Sequence, residues 1–161
     1  MTPTVNPVRA DDIAWVPIRE GLSFRPLHFA TDGYSLQLRL EPGTKIARHR
    51  HTGEVNALNL EGNREIIDTG EVIGPGTFVY EPPGNVDSWR CVGADPCVIQ
   101  ITLKGRLDYL DEADQVVEST DVHSTRALYL NWCAANGVTP NKALVGEADE
   151  QVAPCQERLA S

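Results

Sequence analysis

Apolar and polar residues alternate with a period of two over much of this chain. The cleanest run is Tyr34–Leu40, where Leu36, Leu38 and Leu40 fall on one face and Ser35, Gln37 and Arg39 on the other. Period two is strand geometry, because successive side chains leave a strand in opposite directions. Strands are predicted in the same way over Leu22–Phe29, Val55–Leu60, Arg64–Asp68, Thr77–Glu81, Ser88–Val92, Val98–Leu103, Arg106–Leu110 and Gln115–Val117. Trp15–Ile18 is a shorter candidate, placed at a sheet edge by Pro17, which has no N–H for a ladder. Turn residues separate the runs: Glu41-Pro42-Gly43, Glu61-Gly62-Asn63, Gly74-Pro75-Gly76 and Pro82-Pro83-Gly84. Glu61-Gly62-Asn63 predicts a hairpin joining Val55–Leu60 to Arg64–Asp68. Further hairpins are expected between Ser88–Val92 and Val98–Leu103, and around Asp111-Glu112-Ala113-Asp114. One helix follows, with Asp121 or Ser124 as its cap, Gly137 as its stop, and Leu128, Tyr129, Leu130 and Trp132 for packing on the outside of a sheet.

Short strands at near-regular spacing with a single helix predict an all-β sandwich or barrel. The expected organisation is an N-terminal arm over 1–12, a barrel with its helix over 13–136, and an irregular C-terminal tail over 137–161. A length of 161 residues suits one domain with a sizeable core. The formal net charge of −9 argues against nucleic acid and anionic membrane as partners, since both call for clustered Lys and Arg. The first ten residues have neither a basic nor an apolar segment of the signal-peptide kind, so a soluble, cytoplasmic protein is expected. The cysteines at 91, 97, 133 and 155 form no C-x-x-C pair, which disfavours a zinc knuckle and suits reduced, packed thiols.

Chemistry concentrates at Gly43-Thr-Lys-Ile-Ala-Arg-His-Arg-His-Thr-Gly-Glu-Val55, which holds two of the four histidines. His49 and His51 are two apart, so on a strand both imidazoles leave the same face and can meet one metal ion. The competing reading is a solvated basic patch with Arg48 and Arg50. Further along, Gly76, Pro82, Gly84 and position 87 repeat a spacing that, after the first stretch, resembles the two motifs of the cupins. The wording H-R-H-T-G and Y-E-P-P-G is most similar to the 2,4'-dihydroxyacetophenone dioxygenase and acetylacetone-cleaving dioxygenase branch, over roughly residues 13–136.

The resemblance implies a double-stranded β-helix, that is a jelly-roll barrel, often a homodimer, with a metal inside that is usually iron in this branch. It implies ligands from the two motif-one histidines, a carboxylate and a motif-two histidine. This chain departs from that set. Asp87 stands where the second-motif histidine is expected, and Val55 and Asn56 stand where the first-motif glutamate is. Asp68 is the nearest later carboxylate that could take the glutamate's place. His49, His51 and Asp87 together make two imidazoles and one carboxylate, the ligand set of many non-haem Fe(II) oxygenases. Fe(II) is therefore the expected ion, with Zn, Ni or Mn as alternatives. The other reading of Asp87 is an ordinary turn residue beside an empty cavity.

With Fe(II), the reading is an O₂-dependent cleavage of a C–C bond in a hydroxyketone or 1,3-diketone, a small-molecule substrate held near the rim by Asn56, Arg64 and Tyr80. Glu81 is read as a rim residue. Two other classes stand beside this one: a non-oxidative metal-dependent isomerase or hydrolase, and a non-catalytic module that binds or senses a small molecule.

Overall fold

The computed structural model describes residues 5–145. Twelve strands form two six-stranded sheets that face each other. They are β1 (Val16–Arg19), β2 (Leu22–Ala30), β3 (Gly33–Leu40), β4 (Lys45–His51), β5 (Val55–Glu61), β6 (Asn63–Ile66), β7 (Val72–Ile73), β8 (Phe78–Glu81), β9 (Val86–Val92), β10 (Cys97–Lys104), β11 (Leu107–Leu110) and β12 (Val116–Thr120). One sheet has the order β1-β2-β3-β10-β5-β8 and the other β12-β11-β4-β9-β6-β7, with every pairing antiparallel. This is the jelly roll that the cupin resemblance implies, and it agrees with the all-β sandwich or barrel predicted from the strand pattern. Among the described residues, no helix is long and apolar enough to cross a membrane.

Two expected hairpins are not hairpins. The turn at Gly62 carries the chain from β5 in one sheet to β6 in the other, and the turn before Cys97 carries it from β9 back to β10. A tight turn reverses the chain but does not dictate which sheet receives it. The two crossings lean on each other: Gly62 has φ +64°, and a Cβ there would sit 2.2 Å from the Pro96 carbonyl oxygen. Only glycine meets both demands. The hairpin around Asp111–Asp114 does form, pairing β11 with β12. The two-residue strand β7 has no counterpart in the sequence reading.

Inward positions follow the alternation. Phe24, Leu40 and Ile99 are fully buried, and each such side chain contributes about 1.5–3 kcal/mol through lost water contact. The helix α1 (Val122–Asn136) starts with a capping box, in which Asp121 accepts from the Ser124 N–H at 2.9 Å while the Ser124 hydroxyl accepts from the Asp121 N–H. It ends at Gly137 in the left-handed conformation. Val122, Tyr129 and Cys133 join the core with Phe24, Leu36 and Leu103. The arm contains a 3₁₀ turn at Ala10–Asp12, and Val8 packs on the same core. The expected irregular tail is corrected over its first residues: a short helix α2 (Lys142–Val145) packs along β2 and buries Leu144. The rest of that tail, residues 146–161, lies outside the described residues.

Gly33 starts β3 with φ +144°, and a Cβ there would lie 2.2 Å from the Leu103 carbonyl oxygen on β10. Gly43 has φ +85° but open space around it. Gly33→Ala is therefore expected to cost well over the ~1 kcal/mol anticipated for Gly43→Ala, where only backbone strain is at stake. Urea midpoints of the two variants check the order.

Candidate metal centre

The site is built by β4 and its neighbour β9. The β4–β9 register places His49 opposite Asp87. Directly opposite residues of an antiparallel pair project from the same face. The register shifts between Ile46 and His49, where β4 has one residue more than β9. That bulge turns both Ile46 and His49 inward although they are three apart, and His51 follows two residues on. It also frees the Ala47 carbonyl, which accepts a hydrogen bond from His49 Nδ1 at 2.7 Å. A carbonyl can only accept, so Nδ1 carries a hydrogen, which leaves Nε2 as the nitrogen that can ligate.

The three groups converge. His49 Nε2 lies 3.1 Å from His51 Nε2 and 3.1 Å from Asp87 Oδ1. Ligand atoms from all three residues lie within 4.8 Å of one another. Two donors ~2.1 Å from one ion and at right angles are ~3.0 Å apart, so the spacing suits a shared metal. His49 and His51 are 2% and 4% exposed. Asp87 Oδ1 is buried without a hydrogen bond, as is His51 Nδ1. Burial, with His49 beside it, holds the His51 pKa down to about 4 against the pull of Asp87. Its imidazole is therefore neutral and able to ligate across the physiological range. Two buried imidazoles and a buried carboxylate gathered at one point, with Asp87 Oδ1 left without a hydrogen bond, fit a cation.

Glu81, at the end of β8, is 8% exposed rather than at the rim. Its Oε1 accepts from Asn85 Nδ2 at 2.7 Å, and Oε2 lies 3.9 Å from His51 Nε2. Burial, then the Asp87 charge and a hydrogen bond with Asp87, pushes its carboxyl up to about 7, while Asn85 and Arg64 pull it down. Arg64, on β6, is 3% exposed; its Nε donates to Asn59 Oδ1 at 3.1 Å and its guanidinium lies over Trp89, 4.9 Å from the ring centroid. His49, His51, Glu81 and Arg64 all open onto a cavity of about 350 Å³ whose walls are mainly apolar, including Phe24, Leu36, Trp89 and Ile101. Ser124, Thr125 and Leu128 from the start of α1 also line it, so the helix does more than cover the sheet.

The structure does not bring Asp68, Asn56 or Tyr80 into this group. Asp68 is exposed in the turn after β6, and Tyr80, 53% exposed, faces away from the barrel. Both line a separate groove that also meets Asp87. Asn56 alternates outward between the buried Val55 and Ala57. The amide that does reach the interior is Asn59, fully buried, donating to the Gly62 carbonyl at 3.1 Å and accepting from Arg64. Counting in twos from Val55 finds Asn59, and counting in twos from Val79 finds Glu81. The exposed aromatics Phe78 and Tyr80 of edge strand β8 mask that second count.

Comparison with known proteins agrees with the fold. Residues 5–105 match the ChrR cupin-like domain. The match spans more than half of the chain, and the protein belongs to that family of cupins. Its structure is similar to an RmlC-like cupin protein of Ralstonia eutropha, with a TM-score of 0.81 and 21% identity over 88% of this chain and 94% of that one. It is also similar to an acetylacetone dioxygenase of Acinetobacter johnsonii, with a TM-score of 0.71 and 18% identity over 82% and 95% of the two chains. A third likeness is to a Rhodobacter sphaeroides complex of SigE with the anti-sigma ChrR, with a TM-score of 0.53 and 17% identity over 60% and 52%. At these identities the likeness is one of fold. No curated protein matches the sequence.

Asp87→Ala is expected to lower iron or zinc occupancy by tenfold or more after reconstitution and desalting, the range for removing a metal-site group. Asp68→Ala is expected to leave it unchanged. Elemental analysis of both variants checks the pair.

Proposed function

We propose that the protein is a non-haem Fe(II) dioxygenase that cleaves a C–C bond of a 1,3-diketone or hydroxyketone. The observation that carries this reading is the convergence of His49, His51 and Asp87 beside a mainly apolar cavity. Two imidazoles and one carboxylate form the ligand set that leaves positions open for substrate and O₂. His49, His51 and Asp87 would hold the ion. Bound iron supplies a Lewis-acidic, redox-active centre at which two substrate oxygens and O₂ can be brought together. The His49 ring is held in one tautomer by the Ala47 carbonyl, so its lone pair stays aimed inward. Glu81 Oε2, not engaged by Asn85, faces the same space and is placed to take the proton that a diketone loses on enolisation. The apolar walls exclude water from the reacting carbon. In the overall change one C–C bond breaks, and both atoms of one O₂ end in the two fragments.

A second reading is favoured by the match to the ChrR domain: a module that binds metal or a small molecule without turning it over. Oxygen uptake separates the two. Iron-reconstituted protein is expected to consume one O₂ per 1,3-diketone cleaved, and His51→Ala and Asp87→Ala to fall to background. Binding of diketone by iron-loaded protein with no O₂ uptake would leave the binding module as the function.

A further inference from the structure

Arg64 places a guanidinium inside the barrel with little to neutralise it. Nε donates to Asn59 Oδ1, the plane rests on Trp89, and Nη2 is buried with no hydrogen-bond partner. Guanidinium carries five N–H donors and keeps its proton in proteins, so it cannot escape the penalty of burial by becoming neutral. Glu81 and Asp87 act on it through space, but neither forms an ion pair with it among the described residues. A buried cation is costly unless an anion meets it in good geometry. Asn59 is itself fully buried and tied to the Gly62 carbonyl, so the side chain is held in place from behind.

The same cavity supplies the rest of the recognition. Its 350 Å³ corresponds to about a dozen water volumes, and hence to a molecule on the order of a dozen non-hydrogen atoms. Phe24, Leu36, Ile101 and Leu103 give it an apolar wall that cannot solvate a charge. With a divalent ion held at His49, His51 and Asp87, and Glu81 ionised, the charges of ion and carboxylates cancel and Arg64 is left over. Protonating Glu81 would only increase the positive excess.

We propose that Arg64 is the anchor for a carboxylate of the substrate, and that the substrate is an acidic 1,3-dicarbonyl compound with a bulky apolar arm. The dicarbonyl part of this statement rests on the oxygenase reading; the anion anchor and the apolar arm do not. Arg64 is suited to the task because its planar fork can present paired N–H groups to a carboxylate.

The test uses zinc-loaded full-length protein, which cannot turn substrate over by redox chemistry, and two probes that differ at one group. Benzoylacetone and benzoylpyruvate are both enolisable 1,3-dicarbonyls with a phenyl arm; the first ends in a methyl where the second ends in a carboxylate. Calorimetric titration is expected to show benzoylpyruvate binding about ten- to a hundredfold more tightly, the range for a hydrogen bond to a charged group. Arg64→Met should erase that preference, and Arg64→Lys, which keeps the charge but loses the fork, should restore part of it. Acetylpyruvate, which keeps the carboxylate and lacks the ring, should bind more weakly than benzoylpyruvate. Equal affinity of acid and ketone in the wild type would overturn the proposal, and this comparison needs no variant to fold. A preference that survives in folded Arg64→Met would overturn it too, since the carboxylate would then sit on the metal. Equal affinity for acetylpyruvate and benzoylpyruvate would remove the apolar arm. Oxygen uptake by iron-loaded protein separates this proposal from the reading beneath it. Preference for the acid without O₂ consumption would sink the oxygenase and leave the anchor. O₂ consumption with no preference would do the reverse.

Discussion

One pairing register holds the centre together. His49 and Asp87 meet because β4 and β9 are aligned so that they stand opposite each other. A slip of one residue would send Asp87 to the outer face and leave two imidazoles without their carboxylate. The alignment is secured on both flanks. Ile46 stands opposite Trp89 on the core side of the bulge, and β11 pairs with the other edge of β4 over Arg50 and His51. The barrel is closed around this ladder, and the core residues Leu22, Ile46, Ala57 and Trp89 form one packed cluster beside the histidines.

The interior this produces is unusual for an apolar barrel. Two imidazoles, two carboxylates and a guanidinium share it, and His51 Nδ1, Asp87 Oδ1 and Arg64 Nη2 have no hydrogen-bond partner among the described residues. Such groups weaken the folded state relative to an all-apolar core. Exposed pairs such as Arg48 with Asp114 add little in return, because water screens them. Stability therefore rests on the apolar majority of the core and on the two long ladders of β10 with β3 and β5. The polar minority is arranged for a ligand.

Much of the fold was legible because its signals are local. Alternation located nearly every strand, and Asp121 and Gly137 marked the ends of α1 through capping chemistry. The sheet to which each strand belongs was not legible at Gly62 or before Cys97, because a reversal of direction looks the same whether the chain returns to its own sheet or crosses to the other. Of the centre, His49 and His51 share a face by their spacing, even though a bulge precedes the first, whereas Asp87 stood out only as the second-motif position of the cupin resemblance. Strand parity counted from Val55 leads to Asn59, but the same count on β8 is masked for Glu81. On edge strand β8 the aromatic residues face outward and the carboxylate inward, reversing the usual rule. β7, with only two residues, is too short to show a period.

The thiols give this architecture a reporter of its own. Cys91 belongs to one sheet and Cys97 to the other, and both are free and almost completely shielded. Burial raises both pKa values, with Cys97 pushed up to about 11, so neither is a ready nucleophile while the barrel is shut. An alkylating reagent can reach them only after the seam between the sheets parts. The rate at which these two positions are labelled thus becomes a clock for separation of the sheets.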